Sequence, residues 1–221
     1  MHQTIFNAFE AICRQHLPAG ARVLEVGATS GEDTLLNLPA LRNAELRVGV
    51  NLHFEGACEG LSFVQVAADG LAAFSDASFD AVLCNSVLEH DAHFYRTLAG
   101  IQRAARPGAL IVIGVPGYAE IPPSPLLRLA QRATAWPLLA RLLESISPGW
   151  ASSTSTLAVH NYPGDYYRFS PQAMREVLMA GCRNITVSVE MRPPRMIGFG
   201  WRCDAADSST KTLPEESSLA P

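Results

Sequence analysis

Apolar positions along the chain follow two patterns, one typical of amphipathic helices and one typical of buried strands. Residues 3–16 repeat apolar side chains at helical spacing, which predicts an amphipathic helix that ends at the following Leu-Pro-Ala-Gly. Further along, five segments are apolar almost throughout, as is typical of parallel strands that are covered on both faces. In chain order they read "ARVLEVGA", "ELRVGVNL", "LSFVQVAAD", "FDAVLCNSVL" and "ALIVIGVP".

Helical patterns separate several of these strands. Residues 31–43 suit a helix, and residues 91–105 suit another one with Asp91 as its N-cap. Strands that alternate with helices indicate βαβ units, so the fold class is α/β, with a doubly wound, Rossmann-like and mostly parallel sheet.

The pattern changes after the fifth strand. Pro137 is expected to split the apolar segment 124–147 into two short helices. "SPQAMREVLMAG" predicts a helix that Ser170 caps and Gly181 ends, and two strands, "NITVSVEMR" and "RMIGFGWR", then form an antiparallel hairpin. We therefore expect one domain over 1–202, with an insertion at 117–168 and a disordered polar tail at 203–221.

Composition narrows the class of protein. The chain has 221 residues, 48% of them hydrophobic, a net charge of −4 and no basic stripe, which argues against a nucleic-acid partner. Its five cysteines stand singly, so neither a zinc site nor a disulfide framework is expected, and no metal is indicated. No signal peptide and no apolar run of transmembrane length is evident, which predicts a cytoplasmic protein.

The turn after the first strand, "VLEVGATSG", resembles a nucleotide-binding loop. Thr29 stands where a dinucleotide loop needs its middle glycine, which makes the loop poor for NAD. Glu25 would repel a pyrophosphate, but it could fix a cationic amino-acid group. The alternative for Glu25 is an acid that pairs with a nearby helix N-terminus.

Five segments between residues 20 and 116 together resemble class I S-adenosylmethionine-dependent methyltransferases of type 11. They are "VLEVGATSG", "GVNL", "AADG", "SFDAVLCNSVLEH" and "RAARPGALIVIGVP". The resemblance implies a seven-stranded sheet with an antiparallel last strand, and S-adenosyl-L-methionine as cofactor. The cofactor-binding residues that it implies are Glu25, Gly27, Ala28, Thr29, Gly31, Asn51, Leu52, Asp69, Gly70, Asn85 and Ser86.

Two positions depart from the family pattern. Thr29 replaces the middle glycine, and Asn51 stands where an acid usually grips both ribose hydroxyls. Asparagine keeps one acceptor oxygen and adds a donor, so the ribose can still be held. Asp69 is expected to accept from the adenine amino group, and a turn-forming Asp before Gly70 is the alternative.

Three residues are candidates for catalysis. His90 could deprotonate an acceptor hydroxyl, since histidine is a common general base, and a structural or cofactor-packing role is the alternative. His160 and Tyr166 lie in "HNYPGDYYRFSP", which resembles a signature of a methyltransferase sub-group. Phe169 and Ser170 explain part of that signature by folding alone.

These observations predict methyl transfer to an oxygen or nitrogen of a small molecule, such as a sugar or glycan precursor or a secondary metabolite. A non-catalytic partner or scaffold with the same fold is the main alternative, and an NAD(P)-dependent reductase is a weaker one. The segment 124–147 is expected to form a lid or an oligomer contact, so that a homodimer would form through 117–168. Contact with a membrane surface is the alternative for this segment.

Overall fold

A computed structural model describes residues 1–29, 31, 33–53, 56–58, 60–66, 71, 73–118, 136–146, 164, 166–191 and 194–204. The chain divides into two compact units, Met1–Tyr118 with Asn161–Pro221, and Ala119–His160. The predicted tail lies outside the described residues except for 203–204, and most of the predicted insertion lies outside them too.

The larger unit is built on one mixed sheet of eight strands in the order β3-β4-β2-β1-β5-β6-β8-β7. The strands are β1 Arg22–Val26, β2 Leu46–Asn51, β3 Gly56–Cys58, β4 Leu61–Gln65, β5 Phe79–Asn85, β6 Ala105–Pro116, β7 Cys182–Glu190 and β8 Arg195–Arg202. Strands β4, β2, β1, β5 and β6 are parallel, and β8 is antiparallel to both of its neighbours. The predicted α/β class and the reversed last strand are therefore confirmed.

One strand was not predicted. The short β3 pairs antiparallel with β4 and adds an eighth strand at the edge of the seven-stranded arrangement. Three residues around "GAC" give too short a pattern to be distinguished from a loop by sequence alone.

Apolar side chains cover both faces of the sheet. Along β5, Val82 and Cys84 belong to one buried cluster, whereas Ala81 and Leu83 belong to another on the opposite face. The second cluster also contains Phe9 of the N-terminal helix. This two-sided burial explains why the strands are apolar throughout rather than alternating.

The described helical segments are α1 Gln3–His16, α2 Phe94–Ala104, α3 Pro137–Ile146, and α4 Pro171–Ala173, which continues as a π-helix over Met174–Leu178. Helix α3 belongs to the smaller unit, and the other three belong to the larger unit that contains the sheet. The predicted cap of α4 is confirmed, because the hydroxyl of Ser170 accepts from the N–H of Ala173 at 3.0 Å. Helix α3 begins at the predicted break, but the segment before it lies outside the described residues. No helix among the described residues is both long and apolar enough to cross a membrane.

The start of α2 differs from the prediction. Asp91 is not the N-cap, since the helix begins at Phe94 and His93 precedes it. The Asp91 carboxylate instead accepts from the N–H of His93 at 2.7 Å and from the hydroxyl of Thr97 at 2.6 Å. It thus stabilises the turn before the helix.

The predicted helix over residues 31–43 is wrong. In its place the chain forms two single 3-10 turns, Leu35–Asn37 and Pro39–Leu41. Pro39 has no N–H to continue a helix, and it favours an extended conformation at the preceding Leu38, whose ψ is 130°. Four leucines of this stretch are nevertheless fully buried, namely Leu35, Leu36, Leu38 and Leu41. The apolar spacing that suggested a helix serves these two turns instead.

Candidate functional site

Polar and glycine residues gather at the edge of the sheet where the parallel strands end. The loop of Gly27 follows β1, Asn51 ends β2, and Asn85 and Ser86 close β5. Ligands of open α/β sheets bind at this carboxyl edge.

The glycine loop is fixed from the neighbouring strand. The N–H groups of Gly27 and Ala28 both donate to the carbonyl of Val50 at 2.9 Å. Gly27 and Gly31 have φ values of 82° and 87°, which favour glycine. Among the described residues, no atom lies within 4 Å of where a Cβ of Gly31 would stand. Thr29 and Gly31 are exposed, so the outer part of the loop leaves room for a ligand.

Gly27 packs closely against the side chain of Val87. A Cβ on this residue would overlap with the Cγ2 of Val87, which follows β5 two residues beyond its end. The glycine is therefore required by the packing of the loop against the start of the turn at Leu88–His90.

Glu25 is committed to the backbone of the first 3-10 turn. It is 4% exposed, and its carboxylate accepts from the hydroxyl of Thr34 and from the N–H groups of Leu35 and Leu36 at 3.1 and 3.2 Å. Burial raises the pKa of Glu25 to about 7, although these three donors act to lower it. These contacts fit the alternative of an acid at a helix N-terminus, whereas cofactor binding by Glu25 stays a prediction.

Asn51 and Leu52 lie at the end of β2. The side-chain oxygen of Asn51 accepts from the N–H of His53 at 2.7 Å, which makes a local Asx turn, and the side chain is buried. Leu52 is 51% exposed, so an apolar surface is available at this edge. Asp69 and Gly70, the predicted adenine contacts, lie outside the described residues.

The end of β5 is joined to the last strand. Ser86 has a φ of 55°, an uncommon conformation for a residue other than glycine, and its N–H donates to the carbonyl of Gly114. Its hydroxyl accepts from Nη1 of Arg195 at 2.6 Å. The amide of Asn85 is 3.7 Å from the sulfur of Met1.

His90 is held on one side by a distant segment. Its Nδ1 donates to the carbonyl of Gly164, and its Nε2 lies 3.8 Å from a carboxylate oxygen of Glu89. The carbonyl of Glu89 in turn accepts from the N–H groups of Tyr166 and Tyr167. The pair Glu89 and His90 and the segment 166–169 therefore form one group of contacting residues rather than two separate groups.

The side chain of Tyr166 is 59% exposed, whereas its neighbours pack inward. Tyr167 and Phe169 contact the ring of Phe94, with centroids 5.1 and 5.5 Å apart, and Tyr167 donates to the carbonyl of Ala92. Packing thus accounts for these two aromatic residues, whereas the ring of Tyr166 lies beside Gly164 and remains largely exposed. His160 lies outside the described residues.

A family model described as a methyltransferase domain matches residues 24–113. These residues run from β1 into β6 and include the glycine loop and the ends of β2 and β5. The resemblance to class I methyltransferases is confirmed. No curated protein sequence matches the chain.

Solved structures show the same methyltransferase fold. The 1,6-didemethyltoxoflavin-N1-methyltransferase of Burkholderia thailandensis, solved with 1,6-didemethyltoxoflavin and S-adenosylhomocysteine, has a TM-score of 0.61 at 20% identity over 90% of this chain and 78% of its own. A phosphoethanolamine N-methyltransferase of Haemonchus contortus, solved with S-adenosyl-L-methionine, has a TM-score of 0.56 at 14% identity, over 90% of this chain and 53% of its own.

The carboxyl edge of the sheet suits S-adenosylmethionine, the cofactor that methyltransferases of the matched family use. The open side of Gly31 leaves space beside the loop, and the exposed Leu52 offers an apolar surface for a base. Among the described residues, no cluster of His, Cys, Asp and Glu side chains could hold a metal ion.

Sequence reasoning missed three residues of this edge. Thr34 binds Glu25, Val87 packs on Gly27, and Arg195 binds Ser86. Thr34 carried a usable signal, because a threonine before two leucines is a typical N-cap. Arg195 is the first residue of the last apolar strand, and an antiparallel strand begins at the edge where its parallel neighbours end.

Proposed function

We propose that the protein is an S-adenosylmethionine-dependent methyltransferase that acts on an oxygen or nitrogen of a small molecule. The observation that carries the proposal is the convergence of the open glycine loop, Leu52 and Ser86 on one edge of the sheet. The family match over residues 24–113 supports the cofactor. The Burkholderia relative, whose acceptor is a small molecule, supports the class of acceptor.

Each part of the edge has a separate task in this proposal. The loop after β1 and the end of β2 hold the cofactor, which when bound supplies an electrophilic methyl group. The constellation of Glu89, His90 and Tyr166 lies beyond the end of β5 and faces the acceptor side. Its main contribution is to hold the acceptor nucleophile at attack distance, which lowers the entropic part of the barrier.

Ligand binding and turnover test the proposal. S-adenosylhomocysteine at about one hundred times its Kd should raise the Tm by about 5–10 °C, because it binds only the native state. S-adenosylmethionine with a panel of hydroxyl and amine acceptors should then yield S-adenosylhomocysteine. No shift in Tm refutes cofactor binding, whereas binding without turnover across the panel favours the scaffold alternative. A Tm shift with NADH or NADPH instead would favour the reductase.

Tyr166 and His160 are proposed to serve the acceptor. We expect Tyr166→Phe or His160→Ala to reduce methyl transfer by about two- to tenfold while the affinity for S-adenosylhomocysteine stays within about twofold, since one hydrogen bond to the acceptor is lost. Steady-state kinetics and a pH profile of kcat separate the roles, because a general base lowers kcat and changes the profile. Tyr95→Phe, at another exposed tyrosine, is the matched control. Normal kinetics in both variants would mean that the segment "HNYPGDYYRFSP" contributes to folding and not to methyl transfer.

A further inference from the structure

Met1 lies at the carboxyl edge of the sheet, because helix α1 runs toward that edge. The helix has 14 residues, which span about 21 Å, and it ends shortly before β1 begins at the amino edge. Its N-terminus therefore lies on the side of the glycine loop. The ring of Phe9 and the side-chain oxygen of Asn85 both lie beside Gly114 of β6, so the helix packs close to the end of β5.

Met1 contacts two neighbouring parts of this edge. Its main-chain nitrogen donates to the carboxylate of Asp33 at 3.0 Å, and its sulfur lies 3.7 Å from the amide nitrogen of Asn85. Asp33 belongs to the loop after β1, two residues beyond Gly31, whereas Asn85 ends β5. Because β1 and β5 are adjacent in the sheet, Met1 crosses from the glycine loop to the end of the next strand.

The start of α1 directs Met1 across the edge. His2 is extended, with a φ of −73° and a ψ of 136°, and its Nδ1 caps the first turn of the helix at 3.2 Å. Ile5 and Phe9 anchor that helix in the buried core. Met1 itself is 38% exposed, so its side chain is open to a ligand that binds at the edge. The core thus fixes the start of α1, and two polar side chains hold the residue before it.

We propose that Met1 is a cofactor-binding residue, which closes the site over S-adenosylmethionine. The thioether side chain of methionine is flexible and adapts to irregular surfaces. It stands between Asp33 and Asn85, so a cofactor bound along the glycine loop meets its apolar surface. Asp33 is a positioning residue, because its carboxylate holds the main chain of Met1. This inference rests on the proposed function, of which it needs the cofactor but no particular acceptor.

Isothermal titration calorimetry of the whole protein with S-adenosylhomocysteine tests the role of Met1. The variants are released from a tag that is cleaved directly before residue 1, and the parent protein is prepared in the same way. We expect Met1→Ala to raise the Kd about three- to tenfold, because an apolar contact with the ligand is lost. Met1→Leu keeps an apolar side chain of similar volume, so its Kd should stay within about twofold of the parent value.

The role of Asp33 is tested in the same titration. Asp33→Asn should raise the Kd about two- to fivefold, because the contact with Met1 loses its charge. The matched control is Asp76→Asn, since Asp76 is similarly exposed and pairs with Arg103 before β5 begins, at the opposite edge. This control should leave the Kd unchanged. If Asp33 acts through Met1, Asp33→Asn adds little to the effect of Met1→Ala in the double variant.

Three results would overturn the inference. An unchanged Kd in Met1→Ala would show that the side chain does not contact the ligand, and a lower Kd would show that it competes for the cofactor's place. Additive effects in the double variant would mean that Asp33 binds the ligand directly. Failure of the proposed function is distinguishable, because a parent protein that binds S-adenosylhomocysteine without any turnover contradicts that function alone. The comparison of Kd values needs no acceptor.

Discussion

Gly27→Ala is expected to abolish the stabilisation by S-adenosylhomocysteine, so that a Tm shift of about 5–10 °C falls below about 1 °C. The new Cβ would overlap with Val87, and the φ of 82° is unfavourable for alanine. The loop must therefore move away from the end of β5, and the cofactor site loses its shape. Differential scanning fluorimetry with and without the ligand measures the effect.

Two further variants separate the causes. Gly108→Ala has a similar φ of 76° but open space around the new Cβ, so it should lower the Tm slightly and retain the full ligand shift. The double variant Gly27→Ala with Val87→Ala removes the overlapping methyl group and should recover part of the shift. A full shift in Gly27→Ala alone would show that the cofactor does not depend on this loop.

Glu25 is expected to make the protein less stable as pH rises through neutrality. Its pKa in the folded state is about 7, against an ordinary value of 4.5. Because folding raises this pKa, the protonated form of Glu25 contributes to the stability of the native state. That contribution is complete below about pH 4.5 and is lost as the pH rises through about 7. The difference in pKa corresponds to about 3 kcal/mol in the free energy of unfolding.

Urea unfolding at several pH values between 5 and 8 measures this loss, with Glu25→Gln as the reference. The amide does not titrate, so the difference in free energy between the two proteins should change across this range, whatever other carboxyl groups contribute. Thr34→Val removes a donor that lowers the pKa, so the transition should move to higher pH. A constant difference between the parent protein and Glu25→Gln would contradict the assignment.

Local signals in the sequence predicted most of the fold. The apolar runs of β1, β2, β4, β5 and β6 predicted their strands, because burial on both faces requires apolar side chains at every position. Ser170 and Gly181 predicted the helical segment that starts with α4, because caps act on the backbone next to them. The failure at 31–43 has a local cause as well, since Pro39 outweighed a helical spacing of leucines.

The candidate site was predicted only in part. The sequence predicted that the glycine loop, Asn51 and Ser86 lie at one edge of the sheet, because the carboxyl ends of parallel strands meet at the same edge. In the structure, β1, β2 and β5 are parallel and end at that edge. The partners of these residues could not be predicted in the same way. Glu25 looked available to a ligand, but Thr34, Leu35 and Leu36 occupy its carboxylate.

By itself, the sequence determined the α/β class, the order of strands along the chain and the edge that carries the glycine loop, since these depend on the side-chain pattern and on neighbouring residues. Only the tertiary structure decided that Val87 closes on Gly27, that Gly164 holds His90, and that Arg195 reaches Ser86. Such contacts join residues far apart in the chain. They depend on which strands become neighbours and on where each intervening loop returns, and no local pattern encodes either.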